Sequence, residues 1–287
     1  MRSVSSVASS SRAAEDAARA VLPGGNAADA IVAGVIAACA ASPSVLLGSL
    51  QVLLHGPTLG ARAIDGRSRQ PGRGTRRPRG FVDSASIPDA AHVAVPGLPS
   101  ALATTSTAFG ILPLLKAAGP ALELAKVTSK ARAKVLGRVA RMGGAALREA
   151  LIADPWLEVA GVLAGGLLTM EDLAEASASI EELDASEGTI RVPWGDPSDP
   201  ETTGTTAVLA VADTRGSLAI ACWHEPDQGL RIEALDLIAP LLAVPVRRGE
   251  TRVSPGTRLA AAAPITLKGD VAEAEVAGVK IRVVRAK

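Results

Sequence analysis

Four threonines, Thr202, Thr203, Thr205 and Thr206, crowd one short stretch behind the acidic, proline-rich segment Asp196-Pro-Ser-Asp-Pro-Glu201. A threonine hydroxyl is a weak nucleophile by itself. Cleavage of the chain in front of it frees an α-amine with a pKa of about 8, and that amine can serve as its base. The same residues suit a plain strand edge, because β-branched side chains favour strands. A second group is cationic. Arg67, Arg69, Arg73, Arg76, Arg77 and Arg79 lie between Gly66 and Val82 with no acidic residue among them. A guanidinium fork pairs with carboxylate or phosphate, so this stretch reads either as an anion-binding loop or as a solvated basic loop.

Other chemistries lack their residues. No GxGxxG, P-loop, GxSxG, CxxC or HExxH pattern occurs, and His55, His92 and His224 lie far apart. Cys39 and Cys222 each sit in an apolar run, which suits neither a disulfide framework nor a Cys-rich zinc site. Neither a metal nor an organic cofactor is implied. The pairs Glu171-Asp172, Glu181-Glu182 and Asp196/Asp199 fall at helix starts or in loops, where carboxylates are solvated. With 30 Lys+Arg against 29 Asp+Glu the net charge is +1, so no bulk field draws nucleic acid. Phe81 is the only aromatic beside the arginines, which leaves little for stacking on bases. Nucleic acid is therefore an unlikely partner. The Ser-rich start has no apolar stretch of signal-peptide type. The runs Ala30–Ala41 and Val159–Thr169 are each about twelve residues, short of the roughly 18 to 20 that span a bilayer, and read as buried helices. The expectation is a cytoplasmic chain with reduced cysteines and no membrane contact.

The elements that must position these groups can be sketched. Aromatics make up only 2% of 287 residues, so the core must be built of Ala, Val, Leu and Ile. Ser9–Leu22 reads as a helix stopped by Pro23-Gly24-Gly25. Asn26 reads as the cap of a second, wholly buried helix, Ala27–Ala41. Val45–Leu54 and Ala61–Ile64 read as strands about a turn at Gly56-Pro57. Helices are expected over Ser100–Phe109, Leu112–Ala125, Ser129–Ala140, Ala145–Leu151 and Thr169–Ala176, the last capped by Thr169. Ala207–Ala212 and Ser217–Trp223 form a hairpin about Asp213–Gly216. Leu230–Leu242 reads as a helix, and Ile265–Leu267, Ala274–Val276 and Val279–Val284 as strands. Helix blocks alternating with hairpins indicate α+β layers and not a dinucleotide-binding repeat.

Several segments, in order, resemble the gamma-glutamyltranspeptidase family. Pro23-Gly-Gly-Asn-Ala-Ala-Asp-Ala30 resembles its GGNAxDAA, and Ala63-Ile-Asp-Gly-Arg67-Ser-Arg-Gln-Pro71 its A-L-D-x-R-E-x-x-P. Val93-Ala-Val-Pro-Gly97 is similar to V-x-V-P-G, and Leu112-Pro113-Leu114 to G-x-L-P. Pro120–Ala125 is similar to P-A-I-x-L-A, and Leu168-Thr-Met-Glu-Asp-Leu173 to I-T-x-E-D-L. Pro255-Gly256-Thr257-Arg258 with Pro264 is similar to P-G-x-R…S-P. The resemblance implies a four-layer αββα sandwich of the Ntn-hydrolase kind, here reduced, in a chain that cuts itself in two. Residues 1–204 would be the large-subunit-like region with the Arg-rich loop 66–82. Residues 205–287 would be the small-subunit-like region, the whole forming one compact domain.

The family's nucleophile segment, T-x-H-x-S-V-V-D-x-x-G-x-A-V, aligned on Asp213 and Gly216, places the nucleophile at Thr206. A one-residue bulge would give Thr205, and a longer insertion Thr202. Arg67 matches the arginine that holds the substrate's α-carboxylate. The implied activity is hydrolysis or transfer of gamma-glutamyl groups from a small amide such as glutathione. The departures define an alternative. The motif's His and Ser fall on Val208 and Ala210, its paired serines on Ala260 and Ala261, and its Gly-Gly has only Gly278. Lost oxyanion donors typically cost about 10² to 10³ each. The alternative is thus an inactive family member acting as a binding or assembly module, self-associating or joined to another chain.

Overall fold

The computed structural model describes residues 6–75, 80–185, 188–192, 204–259, 265–276 and 279–284. Its centre is an antiparallel six-stranded sheet. The strands are β1 (Ser6–Ser9), β2 (Leu50–Gly56), β3 (Gly60–Gly66), β4 (Ser179–Leu183), β6 (Gly204–Ala212) and β7 (Leu218–Pro226), in the order β1-β6-β7-β2-β3-β4. A four-stranded sheet of β12 (Val279–Val284), β11 (Val271–Val276), β10 (Thr266–Lys268) and β5 (Thr189–Arg191) packs against it.

Alternation along the strands assigns each face. Ala207, Leu209, Val211, Ala219, Ala221, Trp223, Leu50 and Val52 join the core under the helices. Val208, Ala210, Ala212, Leu218, Ile220, Cys222 and Leu53 join Ile190, Leu267, Ala272 and Val283 in the core between the sheets. Successive side chains of a strand point to opposite faces, so each strand supplies both cores from one apolar run.

The helical layer is built on α2 (Ala27–Ala41), which lies between the sheet and its neighbours α1 (Arg12–Val21) and α5 (Gly119–Thr128). Nearly every α2 residue is buried, as an all-round apolar pattern demands. Asn26 caps it, accepting from the Asp29 amide at 3.0 Å while Asp29 Oδ2 accepts from the Asn26 amide at 3.0 Å. Asp29 also accepts from the amides of Ile111 and Leu112. Asp213, in the β6–β7 turn, accepts from the Ala27 amide at 3.1 Å. The start of α2 is therefore tied to two distant segments at once. Further helices α3 (Leu98–Phe109), α4 (Leu114–Ala117), α6 (Lys130–Met142), α7 (Ala150–Ala160) and α8 (Met170–Ala174) complete the layer. With few aromatics, Trp156 and Trp223 are the largest fully buried side chains among the described residues.

The chain is thus an α+β sandwich, with helices, the larger sheet and the smaller sheet as successive layers. Several segments differ from expectation, among them residues 45–48, which turn before β2, and Leu112–Ala125, which breaks at Ala118 into α4 and α5. Leu230–Leu242 is a hairpin of β8 (Gly229–Ile232) and β9 (Leu237–Pro240), not a helix. Pro240 has no N–H to continue a helix, and Asp236 turns the chain in the left-handed region at φ 50°. Val159–Thr169 is no buried helix: α7 ends at Ala160, and Val162 and Leu163 are exposed. The first helix begins at Arg12, because Ser6–Ser9 pairs with β6 as an edge strand. The helix expected over Ala145–Leu151 is a 3₁₀ stretch, Gly143–Arg148, before α7.

Candidate active site

The β6–β7 register pairs Thr206 with His224 and Thr205 with Glu225. Alternation then separates the two threonines. Thr206 lies two residues before Val208 and His224 two after Cys222, so both belong to the face between the sheets. Thr205 and Glu225 belong to the helical face. Trp223 Nε1 there donates to Glu225 Oε1 at 3.0 Å, and the Glu225 charge acts on Cys39 of α2. Thr206 is half-buried, Thr205 is exposed, and His224 is buried at 6% exposure. Thr202 and Thr203 lie outside the described residues, as do Ala260, Ala261 and Gly278.

Across the sheet, Ala207 pairs with Trp223, Trp223 with Leu50, and Leu50 with Gly66. One step outward from that row are Thr206, His224, Ser49 and Arg67, at the same end of four adjacent strands. Arg67 follows β3, three strand spacings or about 14 Å from β6. Its guanidinium is aimed by Asp65: Nε donates to Oδ1 at 3.1 Å and NH2 to Oδ2 at 2.9 Å. The Arg67 amide also donates to Asp65 Oδ1 at 3.0 Å. Arg258 also pairs with this carboxylate through Oδ2, and its NH2 donates to Ser179 Oγ at 2.6 Å. The Asp65 side chain is fully buried, while Arg67 keeps 18% exposure. The backbone here is crowded. A Cβ on Gly97 would lie 2.1 Å from the Gly66 carbonyl oxygen, so glycine is required where α3 begins.

The arginine segment is bound down over its described part, 67–75. Arg69 and Val95 exchange backbone hydrogen bonds, Gln70 N donates to Thr257 O, Gly256 N to Gln70 O, and Leu259 N to Ser68 O. Gly72 N and Arg73 N donate to Asp172, which with Thr169 caps α8. Burial pushes the Asp172 carboxyl up against those hydrogen bonds. Burial and the neighbouring Arg258 push the Arg69 guanidinium down. Two segments, 67–75 and 254–259, thus run together beside Asp65 and present arginines at the site. Arg76, Arg77 and Arg79 lie outside the described residues.

Burial pushes the Cys222 thiol up to about 12, which keeps it protonated, and raises Cys39 as well. Among the described residues no group of three His, Cys, Asp or Glu side chains could hold a metal ion. No helix there is long and apolar enough to cross a membrane. A groove of about 460 Å³, lined by Ala13, Ala17, Ala37, Pro120 and Leu124, lies in the helical layer and not between the sheets. The motif matches pick out Arg67, Thr205 and Thr206 but assign no role to His224 or Arg258. Counting outward from the Asp213–Gly216 turn pairs His224 with Thr206, a signal carried by the hairpin sequence itself.

Solved structures share the fold. LmbA2991, in one variant, superposes with a TM-score of 0.70 at 16% identity over 95% of this chain and 78% of its own. Cephalosporin acylase from Bacillus halodurans does so with a TM-score of 0.68 at 17% identity, over 93% of this chain and 76% of its own. Gamma-glutamyltranspeptidase from Helicobacter pylori reaches 0.50 at 20% identity, over 64% of this chain and 66% of its own. No protein-family model matches the chain, and no curated protein sequence does so either. At these identities the likeness is one of fold.

Proposed function

We propose that the chain cleaves a small amide by acyl transfer to Thr206, with a gamma-glutamyl group as the acyl portion. The observation that carries the reading is the shared edge: Thr206 and Arg67 occupy one face and one end of the same sheet. In outline, the Thr206 hydroxyl attacks the amide carbonyl and its freed α-amine takes the proton. The amine leaves, and water or an acceptor amine releases the acyl group. Arg67, aimed by Asp65, pairs with the acyl group's carboxylate. The span of about 14 Å between the strands is divided between the arginine side chain and the acyl chain. The fold shared with an acylase and a transpeptidase supports this reading. Cleavage before Thr206 would divide the chain into a large and a small subunit-like part held by the β1–β6 and β2–β7 pairings. Neither metal nor cofactor has a step in it.

A second reading has its own observation. Val208 and Ala210 are buried, apolar members of the inter-sheet core where the resemblance places His and Ser. That favours an uncleaved binding or assembly module. Intact mass of the purified chain decides between the two. Fragments meeting at Thr205–Thr206, absent in Thr206→Ala, together with release of an anilide from a gamma-glutamyl anilide, support the enzyme. A chain that stays whole and leaves the anilide untouched supports the module.

A further inference from the structure

The α-amine that would serve Thr206 as base does not exist until the chain has been cut. In the continuous chain that nitrogen is a peptide N–H with no basic lone pair, so the first cut needs a different proton acceptor. We propose that His224 is the base that activates Thr206 for cleavage of its own chain, a role that rests on Thr206 being the nucleophile.

Three observations carry the proposal. His224 is the direct cross-strand partner of Thr206. Such partners have Cβ atoms about 4.5 to 5.5 Å apart, within reach of an imidazole for a hydroxyl. Both belong to the inter-sheet face, as the core positions of Val208 and Cys222 require. The competing groups among the described residues named here are committed elsewhere. Glu225 lies on the opposite face and accepts from Trp223 Nε1, and Asp65 is clasped by Arg67 and Arg258. His55 lies opposite Leu218, at the other end of β2 and β7, and contacts the Gly60 carbonyl.

The step balances without an outside reactant other than water. The Thr206 Oγ1–H bond breaks, its proton passes to an imidazole nitrogen of His224, and Oγ1 bonds to the carbonyl carbon of Thr205. The Thr205–Thr206 C–N bond then breaks as the imidazolium returns the proton to nitrogen, leaving an ester and the free α-amine. Water hydrolyses the ester to the Thr205 carboxyl group and regenerates the Thr206 hydroxyl. Gly204, just before the junction, gives the backbone room to bend during attack.

The test follows the full chain after brief expression, by intact mass against time at neutral pH, alongside Thr206→Ala, His224→Gln and Glu225→Gln. The expected result is cleavage at Thr205–Thr206 in the wild type and none in Thr206→Ala. His224→Gln should slow it at least about 100-fold, the scale of a lost general base, with Glu225→Gln within a few-fold of wild type. Circular dichroism establishes that each variant is folded. Should His224→Gln misfold, His224→Ala with added imidazole replaces it: recovery of cleavage supports the proposal, and none counts against it. Folded His224→Gln or His224→Ala cutting at the wild-type rate, with Thr206→Ala inert, overturns the role of His224 alone. Unchanged cleavage in Thr206→Ala overturns the nucleophile, and a wild-type chain that never cuts overturns both.

Discussion

Asp65→Asn should be one of the most damaging single-atom changes available to this chain. The Asp65 side chain has no exposed surface and faces two guanidinium groups, those of Arg67 and Arg258. The substitution is nearly isosteric, so it leaves packing intact. It removes the charge paired with both arginines and turns one acceptor oxygen into an NH2 facing N–H donors. Removing one partner of a buried ion pair costs about 3 to 5 kcal/mol. Arg67 and Arg258 retain 18% and 26% side-chain exposure, and water screens part of the loss. The expectation therefore falls at the lower end, about 3 kcal/mol. At this chain length about 2 °C accompanies each kcal/mol, giving a fall in Tm of about 6 °C.

The assay is urea unfolding followed by far-UV circular dichroism, with thermal melts alongside. Adding Arg258→Met to Asp65→Asn should recover part of the loss, because the second change removes an uncompensated cation. The two are in contact, so non-additivity of about 0.5 to 3 kcal/mol is expected. A loss below about 1 kcal/mol, or a strictly additive double variant, would refute the account of Asp65 as the anchor of both arginines.

Two further outcomes follow from other contacts. Arg132, 2.6 Å from Asp236, holds that carboxyl below the usual carboxylate range. The folded chain therefore binds this proton less tightly than the unfolded chain, and the stabilisation is complete above a pH of about 4. It is lost as pH falls through the folded value, so Asp236→Asn should flatten the acid limb of the unfolding midpoint; an unchanged limb counts against the pair. Gly97→Ala drives a Cβ into the Gly66 carbonyl at 2.1 Å, and overpacking against backbone should cost at least about 2 kcal/mol in urea unfolding. A neutral effect there would mean that β3 and α3 separate easily.

Legibility in the sequence follows the range of the interaction. The α2 helix and its Asn26 cap are readable because capping is decided within four residues, and the β6–β7 hairpin because its turn and alternation are local. The β8–β9 hairpin resembles a helix in sequence because Leu230–Leu242 mixes apolar and charged residues at a spacing compatible with either period. Pro240 is the residue that decides against the helix. Ser6–Ser9 is too short and serine-rich to read as a strand: its backbone ladder with β6, supported by Ser9 Oγ and Ser10 Oγ on the Val208 backbone, makes it an edge strand. Ion pairs over long separations are invisible for the same reason. Nothing near Asp65 in sequence announces Arg258.

This division bears on what the resemblance means. Its matched segments coincide largely with joints of the fold. Asn26 and Asp29 tie α2 to the Ile111 loop, Thr169 and Asp172 tie α8 to Gly72, and Gly97 lets α3 approach β3. Such joints fix where a strand end lies, and they do so whatever side chain that end carries. The unmatched positions, Val208 and Ala210, lie inside the sheet core, where an imidazole or hydroxyl would need a buried partner. His224, on the paired strand and two residues nearer the sheet end than Val208, lies opposite Thr206. On the role proposed for His224, a chain that keeps the joints and carries its imidazole across the strand from Thr206 would retain a framework for nucleophilic attack. Activity in this chain must therefore be judged by what lies across the strand from Thr206, and not by how many motif letters survive along it.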